Sequence, residues 1–241
     1  MAKLSASILS ADLAHLGDQV RLVEPYAQVI HIDVMDGRFV PPLSFGPSVV
    51  AALRTVTART LHGHLQVESP QTLFDDLAEA GLDIVSFHVE AVPDPAPVIA
   101  KARGAGMRVG LTLSPETPIE RTLPYLEDLD DVMIMSVYPG WAGQPFIPEV
   151  LPKVQKVRQE LERRGLRADV ELDGGISTAN ATRALDAGAN VLVAASAIFQ
   201  ASDVAAAARA LAELTSAESQ SGTRPRAGEE VRDAGDDPRR G

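Results

Sequence analysis

The chain has 241 residues, of which 45% are hydrophobic, and a formal net charge of −11. This length fits one large domain with a sizeable core, and the acidic balance argues against nucleic acid as a partner. Because the chain has no cysteine, disulfides, thiolate metal ligands and a cysteine nucleophile are excluded. No apolar run approaches the ~18 residues of a membrane span, and the first residues do not resemble a signal peptide. We therefore expect a cytoplasmic protein with no membrane partner.

Short apolar runs alternate with helical segments along most of the chain. Apolar residues return every three or four positions in 49–56, 72–81 and 150–165, as in amphipathic helices. Alternating strands and helices indicate a parallel sheet, and eight strands are the number in a closed barrel. The predicted fold class is therefore α/β, a (β/α)8 TIM barrel. The eight predicted strands are 3–9, 29–34, 60–67, 84–89, 108–113, 132–137, 168–173 and 191–196.

Two segments repeat one pattern, and the end of the chain departs from it. The segments 80–88 and 187–196 both begin with Ala-Gly and continue into a buried strand, so the glycine is predicted to end a helix. Residues 215–241 contain few apolar side chains and mix both charges with glycine and proline. We therefore predict a barrel domain over 1–214 and a disordered tail over 215–241.

Four side chains are candidates for a metal site. His31 and Asp33 lie two apart on a predicted strand and so point to the same face. His64 lies near the end of the next strand, and Asp173 ends the seventh. Residues at the carboxyl ends of barrel strands line the ligand face. Two imidazoles and two carboxylates suit Zn²⁺, and also Mn²⁺, Fe²⁺ or Co²⁺, although a buried histidine paired with an aspartate is the alternative for His31.

Glycine-rich turns follow three of the late predicted strands, in 138–146, 173–177 and 194–199. Such turns present backbone N–H groups to phosphate, particularly after strands seven and eight of a barrel. For any one of these loops, glycine that merely makes the turn is the better explanation. Three such loops on one rim favour a small phosphorylated ligand.

Five motifs in series resemble the ribulose-phosphate 3-epimerase family across roughly residues 4–200. They are SILSADLAHLG (7–17), HIDVMDGRFVP (31–41), PGWAGQPFIP (139–148), ELDGGIS (171–177) and ASAIF (195–199). The resemblance implies a TIM barrel of the ribulose-phosphate-binding type. It also implies a metal-dependent isomerase that interconverts D-ribulose 5-phosphate and D-xylulose 5-phosphate through a 2,3-enediolate, in the pentose phosphate pathway. We further expect a homo-oligomer.

The resemblance assigns roles to residues. It makes Asp33 and Asp173 the proton-transfer pair, which fits a reaction that needs acid/base groups on two faces of C3. It makes His31, Asp33, His64 and Asp173 the metal ligands, with Zn²⁺ as the expected ion, and it places Met35 and Met135 around the enediolate, although core packing also explains these methionines. The implied substrate-binding residues are Ser7, His64, Gly140, Trp141, Ala142, Gly143, Asp173, Gly174, Gly175, Ala195 and Ser196.

The third predicted strand departs from the family pattern DVHLM. His62 stands where the family has Asp, and Gln66 stands where it has Met. By strand alternation both face inward with His64, so they are candidates to change the surroundings of the metal or the choice of substrate, while packing is the simpler explanation for His62. Ala142 and Ala195 replace the family's glycines, which requires negative φ at both positions.

Two alternatives to this function remain open. One is a 3-epimerase of another ketose phosphate, such as D-allulose 6-phosphate, which the changes in the third strand favour. The other is a metal-free phosphate-binding barrel, either a lyase or decarboxylase or a ligand-binding protein. Metal analysis separates the second alternative from the first.

Overall fold

The computed structural model describes residues 2–221, in which eight parallel strands form a closed barrel in chain order. Each strand pairs with the next, and β8 pairs with β1. The predicted fold class is confirmed, and every predicted strand is present within two residues at each end. The strands are β1 Lys3–Ser7, β2 Val29–Met35, β3 Thr60–Gln66, β4 Ile84–His88, β5 Arg108–Leu113, β6 Asp131–Met135, β7 Asp169–Asp173 and β8 Val191–Ala194.

Helices surround the barrel and bury apolar side chains against it. In α5, for example, Val154, Val157 and Leu161 are buried at the three- and four-residue spacing that the sequence shows. These side chains and the outer faces of the strands form one core. The helices are α1 Leu16–Val23, α2 Pro47–Arg54, α3 Phe74–Glu79, α4 Pro95–Gly104, α5 Leu151–Arg164, α6 Ala181–Asp186, α7 Ser196–Phe199 and α8 Val204–Ser221.

The connection between β5 and β6 contains no α-helix, unlike the regular alternation that the sequence predicts. Two 3-10 segments, Ile119–Arg121 and Leu123–Asp128, take its place. Pro115, Pro118 and Pro124 punctuate this stretch. A proline lacks the N–H that a longer helix needs and disfavours helical geometry at the residue before it, so only short turns form here.

The repeated Ala-Gly pattern ends a helix at both places, as predicted. Gly81 follows α3 with φ of 91°, and Gly188 follows α6 with φ of 103°. A backbone with positive φ strains any residue with a Cβ atom. Each glycine therefore reverses the chain from a helix into the buried strand that follows, β4 in one case and β8 in the other.

Helix α8 crosses the predicted domain boundary at residue 214. Helix α8 continues through Leu214 to Ser221, and it packs against α1 and β1. Thr215 is only 2% exposed, and its hydroxyl donates to the Ala212 carbonyl at 2.9 Å. Within α8, large apolar residues end at Leu214, whereas the helix continues to Ser221, so composition does not locate the end of the helix. The rest of the predicted tail, 222–241, lies outside the described residues.

Candidate active site

The four candidate metal ligands converge at the carboxyl end of the barrel. We call His31, Asp33, His64 and Asp173 the mouth cluster. His64 Nδ1 lies 3.1 Å from Asp33 Oδ1 and 3.4 Å from Asp173 Oδ2. His31 Nε2 lies 3.5 Å from Asp33 Oδ1 and 3.8 Å from Asp173 Oδ2. One donor atom from each residue therefore lies within 4.8 Å of the others.

Strand register explains the convergence. In the β2–β3 pair, Asp33 lies beside His64, and in the β6–β7 pair Asp173 lies beside Met135. Alternation along β2 turns both His31 and Asp33 into the barrel. The inward orientation predicted from the spacing of these two residues is thus the one observed.

The donor set fits a divalent metal ion. Both imidazoles are fully buried, and neither nitrogen of His31 has a hydrogen-bond partner among the described residues. The hydroxyl of Ser7 donates to Asp33 Oδ2 at 2.7 Å and so orients that carboxylate. A buried polar atom without a partner is costly, and a cation coordinated by two nitrogens and two oxygens removes that cost.

The charges inside the cluster shift the pKa of its members. Burial alone would lower the pKa of His31, but Asp33, Glu171 and Asp173 hold it well above its ordinary value. Burial likewise opposes the charge on Asp33, yet His31 and His64 keep the pKa of this carboxyl well below its usual range. The mouth cluster therefore attracts positive charge, and Asp33 is an ionised carboxylate.

Above the cluster, a pocket opens at the rim of the barrel. Every residue that the sequence assigns to the site lines this pocket, except His31 and His64, which lie beneath it. The lining residues from the prediction are Ser7, Asp33, Met35, Met135, Gly140, Trp141, Ala142, Gly143, Asp173, Gly174, Gly175, Ala195 and Ser196. The structure thus brings together residues from the ends of five separate strands and the loops that follow them.

Close approach requires glycine in the turn after β7. Gly174 has φ of 120°, and a Cβ atom there would lie 2.4 Å from a methyl group of Val137. The turn consequently passes near the loop after β6 with its backbone facing the pocket. Ala195 has φ of −113°, and no non-glycine residue among residues 2–221 has positive φ. The condition that the sequence set for Ala142 and Ala195 is met.

The sequence did not identify several residues of the pocket. Gln144 holds the loop after β6, because its side-chain amide donates to the carbonyls of Tyr138 and Trp141 at 2.6 and 2.9 Å. Tyr138 and Trp141 are about half exposed at the rim. Gln144 lies inside the third motif, which was the signal available for finding it.

Gln66 and His62 have different positions, although the sequence treats them together. Gln66 lines the pocket, and its amide nitrogen donates to Asp33 Oδ1 at 3.0 Å, while its carbonyl oxygen has no partner among the described residues. His62 does not line the pocket. It lies deeper in the barrel, where its Nδ1 is 3.1 Å from Glu171 Oε2.

His62 belongs to a second group of buried polar residues that the sequence did not reveal. We call His62, Ser86, Asp131 and Glu171 the lower polar cluster. His62 Nε2 is 2.7 Å from Ser86 Oγ, and Ser86 Oγ is 3.3 Å from Asp131 Oδ2. Glu171 Oε1 is 3.5 Å from His31 Nδ1, so this cluster touches the mouth cluster from below. A cavity of about 140 Å³ borders it toward the amino ends of the strands.

Fold and site together define a TIM barrel with a candidate metal site at the carboxyl ends of its strands. Comparison with known proteins narrows this class. The sequence profile of the Ribulose-phosphate 3 epimerase family matches residues 3–199. The ribulose-phosphate 3-epimerase of Synechocystis sp. is 45% identical over 194 residues, covering 79% of this chain and 84% of that protein. The enzyme of the same name from Bacillus subtilis is 43% identical over 196 residues, covering 80% and 90%. This chain therefore belongs to the ribulose-phosphate 3-epimerase family and is an isomerase.

Solved structures share the fold at much lower identity. The structure of KGPDC from Streptococcus mutans has a TM-score of 0.70 and 18% identity, covering 90% of this chain and 98% of that one. The 3-hexulose-6-phosphate synthase from Salmonella typhimurium has a TM-score of 0.69 and 20% identity, covering 89% and 99%. At these identities the likeness establishes the fold alone. Among residues 2–221, no helix has the length and apolar character to cross a membrane.

Proposed function

We propose that this protein interconverts D-ribulose 5-phosphate and D-xylulose 5-phosphate and that it depends on a divalent metal ion. Membership of the family supports the reaction, and the convergence of two histidines and two aspartates supports the metal. The expected ion is Zn²⁺, with Fe²⁺, Mn²⁺ or Co²⁺ as alternatives. A cytoplasmic location and a homo-oligomeric state remain predictions.

The observation that carries the proposal is the placement of two carboxylates at one pocket. Asp33 on β2 and Asp173 on β7 both line it, and both lie within 4 Å of the same pair of imidazoles. Inversion at C3 removes a proton on one face of the carbon and returns a proton on the other. One aspartate accepts the C3 proton as a carboxylate, and the other donates a proton as an acid. After each turnover their protonation states are exchanged and reset by water.

The remaining groups bind and orient the substrate. A divalent ion held by His31, Asp33, His64 and Asp173 would stabilise negative charge that develops on the substrate oxygens. Backbone N–H groups in the glycine turn after β7 and in the small-residue segment after β8 are suited to the phosphate. Trp141 lies at the rim of the same pocket.

A second candidate is the epimerisation of a different ketose phosphate. Gln66 favours it, because this residue lines the pocket and is polar where the family has Met. Polar groups in a site discriminate strongly between substrates with and without the matching group. D-allulose 6-phosphate is the representative substrate to compare.

The test measures kcat/KM for a panel of ketose phosphates and the metal content of the same sample. We expect ribulose 5-phosphate to be the best substrate, activity to disappear after chelation, and a divalent ion to restore it. A metal-free protein with full activity would contradict the metal dependence. A higher kcat/KM for a six-carbon ketose phosphate would favour the second candidate.

A further inference from the structure

The two nitrogens of His64 face different groups. Nδ1 points at the carboxylates of Asp33 and Asp173, whereas Nε2 lies 3.0 Å from Nε2 of His88. This inference rests on the proposed metal site. An ion at that site would be bound by Nδ1 of His64, because the other donor atoms lie around that nitrogen. The ring hydrogen of His64 is then on Nε2.

This arrangement fixes the hydrogen of His88 as well. Two imidazole nitrogens 3.0 Å apart form a hydrogen bond only when one of them carries the hydrogen. His64 supplies it, so Nε2 of His88 is the acceptor and the hydrogen of His88 is on Nδ1. That nitrogen lies 3.1 Å from Glu90 Oε2 and 3.5 Å from Ser114 Oγ. Hydrogen bonds therefore run in one direction from His64 through His88 to Glu90.

The surroundings hold both His88 and Glu90 in place. His88 is fully buried, and its ring centroid lies 4.8 Å from that of Phe39. The backbone N–H of Phe39 donates to Asp36 at 2.9 Å, which fixes the loop that carries this ring. Glu90 Oε1 accepts from the backbone N–H of Ser114 at 2.9 Å. Neither His88 nor Glu90 lines the pocket, so neither is placed to contact substrate.

We propose that His88, held by Glu90, is a positioning residue that sets the tautomer and orientation of His64 and thereby the affinity of the mouth cluster for a divalent ion. A hydrogen-bond partner on the far nitrogen of a metal-binding histidine orients the ring and raises its basicity as a ligand. Here the partner is a second imidazole, and the carboxylate lies one residue further out.

The test titrates metal-depleted protein with Co²⁺ and follows its visible absorption. His88→Phe removes the acceptor and should weaken Co²⁺ binding by about 10- to 100-fold. His88→Gln places a carbonyl oxygen within reach of His64 Nε2 and should keep the dissociation constant within about threefold of wild type. Thr112→Val is the matched control, because Thr112 is the fully buried neighbour of His88 on β5. It should leave Co²⁺ binding unchanged.

The outcomes separate the two proposals. If wild type binds no Co²⁺, the proposed metal site is wrong, and the positioning role of His88 is overturned as well. If wild type binds Co²⁺ and His88→Phe binds it equally well, or if His88→Gln binds as weakly as His88→Phe, the positioning role alone is overturned. A fall of the same size in Thr112→Val would also overturn it, because general loosening of the barrel would then explain the loss.

A second measurement needs no variant and covers the case in which His88→Phe does not fold. Nitrogen-15 NMR of histidine-labelled, Zn²⁺-loaded wild type assigns each ring hydrogen. We expect the hydrogen of His64 on Nε2 and that of His88 on Nδ1. The opposite placement on either ring would overturn the proposed direction of the hydrogen bonds from His64 to His88 and from His88 to Glu90.

Discussion

The mouth cluster and the lower polar cluster lie in one barrel and both combine histidine with buried carboxyl groups, yet the pKa values of Asp33 in the first and Asp131 in the second are shifted in opposite directions. Burial acts on both Asp33 and Asp131. At Asp33, two neighbouring imidazoles overcome it and hold the pKa well below the ordinary value. At Asp131, burial is joined by repulsion from Glu171 and Asp169, and the pKa is raised well above that value. Neighbouring charges rather than depth therefore decide which buried acid is ionised.

The two clusters also differ in access. The mouth cluster lies under a pocket bordered by glycine turns, whereas the lower polar cluster borders a cavity near the amino ends of the strands, where Lys3 and Arg108 line the wall. In TIM-barrel enzymes substrates bind at the carboxyl end. The comparison therefore predicts chemistry at the mouth cluster and a structural role for Asp131.

The largest expected effect is on kcat, and it comes from replacing aspartate with asparagine in each of the two clusters. Asp33→Asn and Asp173→Asn should each lower kcat by at least ~10²–10⁴-fold, because each removes one proton-transfer group. Asp131→Asn is the matched control, since it replaces an acid in the lower polar cluster whose pKa burial and neighbouring acids hold well above its ordinary value. It should keep kcat within about threefold of wild type. Metal content measured on each variant separates lost proton transfer from lost metal, and comparable kcat losses in all three variants would remove the distinction.

A smaller effect is expected on substrate preference, which should respond to a change at Gln66 and not to a change at His62. Gln66→Met changes a group at the pocket, so it should shift the ratio of kcat/KM between ribulose 5-phosphate and a six-carbon ketose phosphate by roughly tenfold. His62→Asp acts below the pocket, beside Glu171, and should leave that ratio unchanged while lowering the melting temperature, because it places two acids together. A ratio that responds to His62→Asp and not to Gln66→Met would reverse the assignment.

The raised pKa of Asp131 predicts a pH-dependent gain in stability for Asp131→Asn. In wild type, the unfolded chain ionises at this residue above about pH 4 while the folded protein keeps the proton. The folded state thus binds more protons, and its stability falls as pH rises toward the folded pKa. Urea unfolding should show a difference in favour of Asp131→Asn that is small near pH 4, grows as the pH rises toward the raised pKa of folded Asp131, and stays constant above it. A difference that grows toward acid would mean that Asp131 is ionised.

The smallest effect lies outside both clusters, at the end of the chain. A protein that stops after Ser221 should melt within about 2 °C of wild type, since residues 222–241 carry few apolar side chains. A protein that stops after Leu214 loses buried Thr215 and the last turns of α8, and it should melt a further 2–4 °C lower, as about 1 kcal/mol produces in a domain of this size. Equal melting temperatures for the two truncations would show that α8 beyond Leu214 adds nothing.

Much of the fold and the mouth cluster could be predicted from the sequence because local patterns carried them. Alternation along β2 places His31 and Asp33 on one face, and the order of strands and helices gives the barrel. The contacts of Glu171 on β7 with His31 and His62 could not be predicted, because they join strands distant in the chain. The contact between His64 and His88 joins neighbouring strands but depends on side-chain orientation, which the sequence pattern does not show. The extension of α8 past Leu214 was also hidden, because Thr215 is buried by its neighbours rather than by its own apolarity.

The central claim is that Asp33 and Asp173 move protons at C3 on opposite faces of the substrate. The most direct measurement follows the conversion of ribulose 5-phosphate in deuterated water at low conversion, with proton NMR at C3. Because one aspartate removes the original hydrogen and the other delivers a hydrogen from solvent, the product should carry deuterium at C3 from the first turnover. A product that keeps the original C3 hydrogen would contradict proton transfer by this pair.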